Sequence, residues 1–260
     1  MELFNFVKIN FMVKKYIRKI LIKNKYLYGI SKILYINLNP VILYRRWMNK
    51  KLEDFLDEKL LNFDNIKFIQ VGSNDGVQND PLRKYILQNK SWSGVLIEPV
   101  PKIYANLQQL YANDTRVKVL NCAVSDSGTN KLDFFYVHED ALFLGKGLPA
   151  WYNQLGSFDK NNIIKHFDGL LEPYIVSESV QVKSLNTIAE EFGSFDFLHI
   201  DAEGHDYQVL NSLNLTIYQP RLILMEFKHL TKDQLELMVE KFNKHGYQYK
   251  FFSDDIIAFK

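Results

Sequence analysis

Between Ile66 and Phe259 short apolar runs alternate with stretches of helical period. The runs at 67–71, 94–98, 117–123, 132–137, 180–183, 195–200 and 221–227 have strand length. Most are near-continuous Val, Ile, Leu and Phe, as in strands buried on both faces. Helical segments near 81–89, 101–111, 185–192 and 231–245 separate them, with Asp80, Ser184 and a proline at 81 as start signals. Such alternation predicts an α/β fold: a mainly parallel, seven-stranded sheet with helices on both faces. The last two runs, 247–252 and 256–259, are separated only by Ser253-Asp254-Asp255. That link permits only an antiparallel hairpin, so the sheet ends in an antiparallel C-terminal strand.

Two stretches break the alternation. From His138 to Ser179 there is no clear period, and Gly145, Gly147, Pro149, Gly156, Gly169 and Pro173 interrupt the chain. Trp151, Tyr152, Phe158 and Phe167 within it favour an ordered lid over a disordered insertion. At the other end, Met12/Val13, Tyr16/Ile17, Ile20/Leu21 and Leu27/Tyr28 recur near helical period opposite Lys14/Lys15, Arg18/Lys19 and Lys23. Residues 1–50 are therefore expected as a basic amphipathic arm, followed by a lead-in helix at about 45–61 and one main domain over 51–260. The arm suits either docking on protein or peripheral contact with an anionic membrane surface. Its recurrent lysines interrupt any signal peptide or spanning helix, which points to a cytoplasmic protein, peripheral to the inner face of the membrane if the arm binds lipid.

Charge sharpens this division. The net charge is +2, yet residues 1–50 hold eleven Lys/Arg against the single acid Glu2. The remaining 21 basic and 29 acidic residues leave the body at −8, a poor general binder of nucleic acid. A single cysteine, Cys122, excludes an intramolecular disulfide, and its apolar neighbours predict a buried strand residue.

Candidate chemistry gathers where the strands end. The first strand breaks into Gly72-Ser73-Asn74-Asp75-Gly76, a turn open to close backbone approach. Three-glycine spacing for dinucleotides would need glycines at 74 and 77, where Asn74 and Val77 stand. The second strand ends in Glu98-Pro99, the place where such folds hold ribose hydroxyls. Alone, the turn reads as a plain loop and Glu98 as an ordinary acid; in register with a βαβ pattern they point to a nucleoside-containing cofactor. Later strands deliver Asp201-Ala202-Glu203-Gly204-His205-Asp206, and Glu226, Lys228 and His229. Asp201 and Glu203 could equally serve as caps or loop acceptors. His199 alternates with core residues and reads as structural, whereas His205 and His229 follow strands on the active face. If the strands ending at Asp201 and Glu226 are neighbours, about 5 Å apart, their carboxylates can share Mg2+.

In Val71-Gly72-Ser73-Asn74-Asp75-Gly76, Val95-Leu96-Ile97-Glu98-Pro99, Asn121-Cys122-Ala123-Val124-Ser125, Ser184-Leu185-Asn186 and His199-Ile200-Asp201-Ala202-Glu203-Gly204-His205-Asp206 the chain resembles the FkbM-type methyltransferases. The likeness spans about 65–230 and implies a Rossmann-like methyltransferase fold using S-adenosyl-L-methionine, mostly to methylate hydroxyls of sugars or related natural products. It implies that Gly72, Ser73, Asn74, Asp75 and Gly76 lie under the methionine part and that Glu98, with Pro99, holds the ribose. Ala123, Val124 and Ser125 would border the adenine. Asp201 would stand near the transferred methyl, with Asp201, Glu203, His205 and His229 as candidates for the catalytic base; His205 inherits no role from the family. A sugar or glycan-type acceptor follows. Two rivals remain: a nucleotide-sugar oxidoreductase or epimerase, which should carry three glycines and a Tyr-x-x-x-Lys pair, and a non-catalytic nucleoside-binding module, which would be expected to lose the strand-end acids.

Overall fold

The computed structural model describes residues 40–60, 63–78, 80–138, 140–141, 148, 152 and 155–260. The amphipathic pattern at 12–28 and Trp151 lie outside the described residues. Backbone contacts divide the chain into Met1–Phe55 and Leu56–Lys260. Helix α1 (Pro40–Leu60) contains that boundary and starts five residues before the expected lead-in helix. Pro40 suits its first position, where a missing N–H costs no helical bond. In the larger unit the end of α1 buries Leu56 and Leu60, while Asp57 accepts a 2.6 Å hydrogen bond from the Tyr85 hydroxyl.

The main sheet begins with β1 (Lys67–Val71), followed by helix α2 (Arg83–Gln88), β2 (Ser93–Ile97), α3 (Pro101–Leu110) and β3 (Val117–Leu120). Asp80 prepares α2 as its spacing predicts, but one turn early: its Oδ1 accepts the N–H groups of Leu82 and Arg83. After β3 the chain leaves this sheet. The expected strand at 117–123 is cut at Asn121-Cys122, and Ala123–Val124 forms β4 of a second sheet. The Asn121 side chain supplies a reason, since its Nδ2 donates to the carbonyls of both Glu98 and Pro99 at 3.0 Å. Cys122, buried as expected, therefore lies between two strands, and burial pushes its thiol up to about 11.

That second sheet is the principal departure from the sequence pattern. Its order is β4-β7-β5-β6, with β5 (Lys131–Val137), β6 (Gly156–Ser157) and β7 (Ile175–Lys183). β7 is nine residues long, where the pattern showed four. The segment expected as a lid over 138–179 thus contributes strands, the short helix α4 (Lys160–Ile164) and two 3₁₀ turns at His166–Gly169 and Glu172–Tyr174. It has a core of its own, formed by Val137, Ala141, Tyr152, Leu155, Ile163 and Leu171. Tyr152 belongs to that core, so it is not free to cover a substrate.

The chain returns through α5 (Leu185–Phe192), capped by Ser184, to β8 (Phe197–Ile200), α6 (Asp206–Asn211), β9 (Leu222–Glu226), α7 (Lys232–Lys244) and the antiparallel pair β10 (Gln248–Phe252) and β11 (Asp255–Phe259). A capping box, Thr231 with Gln234, starts α7 and contributes about 1 kcal/mol. The seven strands lie in the order β10-β11-β9-β8-β1-β2-β3, all parallel except β11 against both its neighbours. One face of the sheet buries Ile69, Val71, Val95, Ile97, Leu198 and Ile200. Among the described residues no helix is long and apolar enough to cross a membrane.

Gly72 ties the centre of this sheet together. Its φ is +77°, and a Cβ there would stand 1.7 Å from the carbonyl oxygen of Asp201. Gly72→Ala is accordingly expected to lower stability by about 1–3 kcal/mol or more, since strain and backbone collision add. Urea unfolding of the two proteins measures this; an unchanged midpoint would show that the two backbones do not meet.

Candidate active site

The strand order decides where a ligand can sit. From β1 the chain runs outward to β2 and β3, then crosses to β8 and proceeds the other way, so the order reverses between β1 and β8. At such a point the loops leaving the C-terminal strand ends diverge and open a crevice. Here the register aligns those ends: Leu120, Ile97, Val71, Ile200 and Met225 form one row. The next residues are Asn121, Glu98, Gly72, Asp201 and Glu226, and antiparallel pairing brings Asp255 opposite Glu226. With strands about 4.8 Å apart, Glu98 and Asp201 flank Gly72 on either side.

On the β2 side the glycine turn folds over its neighbour. The N–H groups of Gly72 and Ser73 donate to the Ile97 carbonyl at 3.1 and 3.0 Å, and the Ser73 hydroxyl accepts the Ile97 N–H. Asn74 takes φ +50° and Gly76 φ +67°. Asp75 Oδ1 accepts the N–H groups of Val77 and Gln78. Glu98, which the sequence assigns to ribose, is buried and binds the turn: Oε2 accepts the Asn74 N–H at 3.0 Å, and Oε1 the Val100 N–H at 2.9 Å. Each oxygen keeps a second lone pair. Burial, opposed by these N–H donors and aided by the Asp75 charge, raises its carboxyl to about 7. Ala123, Val124 and Ser125 are likewise buried, in or just after β4. A side-chain-free turn at 72 and 76, a carboxylate with spare lone pairs and small buried residues on β4 fit a nucleoside cofactor.

The β8 side is a crowd of acids. Asp206, fully buried, accepts the N–H groups of Ala202 at 2.8 Å and Gly204 at 3.0 Å, which closes the loop and permits positive φ at Glu203 and Gly204. Burial raises Asp206 to about 7. Asp201 is exposed as a residue. Desolvation of its carboxyl by the surrounding protein, then the charges of Glu203, Glu226, Asp206 and Asp255, lift its pKa well above the ordinary carboxylate value. Burial and then the Glu226 charge raise Glu203 and, to about 7, Asp255. Glu226 Oε1 accepts from Lys228 Nζ at 3.0 Å. His229 Nε2 lies 3.4 Å from Glu226 and 3.7 Å from Glu203, with its pKa lowered chiefly by burial. Among the described residues the donor atoms of Glu203, Glu226 and His229 lie within 4.8 Å of one another; Asp201, expected to share a cation with Glu226, is not a member of that group.

Beside Glu203 and His229 lies a cavity of about 150 Å³, walled by the segment between β5 and β7 through Leu155, Ser157, Asn162, Ile163, Lys165 and His166. The wall is fastened to the acid loop, because the Ser157 hydroxyl donates to the Glu203 carbonyl and receives the Asn162 amide at 3.1 Å. His205 sits apart from this group. Its Nε2 is 2.9 Å from the Ser125 hydroxyl and its ring packs on Phe158 at 4.5 Å, so it joins the two sheets. His199 is buried beside Gln70 in register, and burial drives its pKa down to about 3, in keeping with a structural histidine. Sequence patterns missed Asp206 as loop anchor, although it stands two residues after Gly204. They also missed Ser157, Asn162, Lys165 and His166, which carry no spacing signal.

The sequence model of the family described as methyltransferase FkbM domain matches residues 70–249. No curated protein sequence matches the chain. Similar solved structures include a precorrin-6y C5,15-methyltransferase from Geobacter metallireducens GS-15, with 11% identity, TM-score 0.42, and 81% of this chain and 88% of that one covered. Another is a magnesium protoporphyrin IX methyltransferase from Synechocystis PCC 6803 with bound SAM, at 10% identity and TM-score 0.41, covering 85% and 84%.

The raised carboxyl of Glu98 sets a pH dependence. Its folded pKa of about 7 exceeds the ordinary 4.5, so the folded state binds the proton more tightly. The associated stability is complete below pH 4.5 and is lost as pH rises toward 7. Glu98→Gln should remove a stability difference of roughly 2–3 kcal/mol between pH 4.5 and 8, read as a flatter profile of denaturation midpoints. A variant profile parallel to the parent's would exclude Glu98 as the titrating group.

Proposed function

Because the chain belongs to the FkbM methyltransferase family and is therefore an S-adenosylmethionine-dependent methyltransferase, we propose that it methylates a hydroxyl of a sugar or glycan-type acceptor. The observation that carries this reading is the contact between Gly72 and Asp201. It joins the cofactor-side turn directly to the acid loop that borders the cavity. The cavity offers Ser157, Asn162, Lys165, His166, Glu203 and His229, donors and acceptors of the kind a polyhydroxylated molecule requires. A body of charge −8 argues against a nucleic-acid acceptor.

When bound, S-adenosylmethionine supplies an electrophilic methyl group on sulfur. Gly72 to Gly76 and Glu98 would hold it, with Pro99 and Ala123 to Ser125 alongside. The protein's own task is to align a weakly nucleophilic hydroxyl and remove its proton as the new bond forms. Asp201 is assigned as the base, because its raised pKa makes it a stronger proton acceptor than an ordinary carboxylate. Glu203 and His229 orient the acceptor from the cavity. His205 is assigned a positioning role through Ser125.

Two outcomes test these assignments. Asp201→Asn keeps the side-chain shape and removes the proton acceptor, so turnover should fall about 10²-fold or more. Calorimetric affinity for S-adenosylhomocysteine should change little; normal turnover would move the base elsewhere. The arm, with eleven Lys/Arg in residues 1–50, is assigned to an anionic membrane surface. The full chain should then sediment with phosphatidylserine vesicles and be released by salt, whereas a protein lacking residues 1–39 should remain in the supernatant.

A further inference from the structure

We propose that Glu203, Glu226 and His229 form a binding site for a divalent transition-metal ion of the Mn2+ or Zn2+ class. Their donor atoms come from the β8 loop and from the end of β9, yet all lie within 4.8 Å of one another. His229 Nε2 is 3.4 Å from Glu226 Oε2 and 3.7 Å from Glu203 Oε2. Ligands bonded to one ion at about 2.0–2.2 Å stand roughly 3.0–3.6 Å apart, so small side-chain rotations suffice to close the site. A second observation concerns Glu226 alone. Its Oε1 is held by Lys228, but Oε2 is shielded from solvent and accepts no hydrogen bond. Its nearest polar neighbour is His229 Nε2 at 3.4 Å, which makes no hydrogen bond to it, and a cation between the two supplies that oxygen with a partner.

The imidazole selects the class of ion. Mg2+ prefers an all-oxygen shell and retains its waters, whereas a neutral histidine nitrogen with two carboxylates suits Mn2+ or Zn2+. Three protein donors leave coordination positions free, and two of the three, Glu203 and His229, also line the 150 Å³ cavity. An acceptor hydroxyl entering that cavity would find one such position. This use rests on the methyltransferase reading; the site itself does not.

The test uses the full chain, stripped with EDTA and titrated with MnCl2 while the electron paramagnetic resonance of free Mn2+ is followed. One tight equivalent is expected, displaced by Zn2+ but not by a comparable concentration of Mg2+. His229→Ala and Glu203→Gln should each weaken binding about tenfold or more. Glu178→Gln, on the exposed part of β7, should not change it. Melting followed by circular dichroism confirms that each variant is folded, and should either fail to fold the other decides. Absence of saturable binding, equal displacement by Mg2+, or unchanged affinity in the folded variants would overturn the site. None of these readouts involves methyl transfer, so failure of the metal site and failure of the Asp201 assignment are separately visible.

Discussion

Gly72 and the Asp201 carbonyl meet backbone to backbone, with no room between them for a side chain. β1 pairs in parallel with β2 and β8 together, and just beyond its end the chain must leave room for the chain emerging from β8. Only a residue without a side chain, in a left-handed conformation, allows both. The N–H of Gly72 is thereby turned to Ile97 on one side, while Asp201 donates its own N–H to Val71 on the other. One backbone junction thus fixes the crevice at the point where the strand order reverses.

What the junction positions is electrostatically costly. Asp201, Glu203 and Asp255 all lie close enough to Glu226 for its charge to help raise their carboxyls. Asp206 adds its own charge to that felt by Asp201, although loop N–H groups satisfy both its oxygens, and Lys228 offsets part of the cost by binding Glu226. Of these acids Glu203 also lines the cavity. In an α/β fold such concentration at strand ends is the arrangement from which proton-transfer or cation-binding groups are drawn.

The second sheet gives that charge a wall. Asn121 ends β3 by binding the carbonyls of Glu98 and Pro99, and the chain then starts a small sheet whose last loops reach the acid loop through Ser157 and Asn162. His205 bridges the same two layers, with Ser125 on one side and Phe158 on the other. The cavity is therefore formed between the insertion and the strand ends of the main sheet.

The alternating elements, the parallel sheet with its antiparallel finish, the glycine turn and the strand-end acids were all legible in the amino-acid sequence. Those features are local: a buried strand needs a continuous apolar run, a turn with positive φ needs glycine, and a three-residue link admits only a hairpin. It also marked Glu98, Asp201, Glu203, Glu226 and His229, because each ends or follows a strand whose end was visible. Which of them meet depends on how the strands pair. Glu203 and His229 are 26 positions apart in the chain, and no spacing rule pairs them; parallel β8–β9 pairing does. Likewise β7, whose first half alternates weakly because it is exposed, became legible as a strand only against β5. The cut at Asn121 and the anchoring role of Asp206 depend on which backbone groups are left without partners, and that is settled only when the strands have packed.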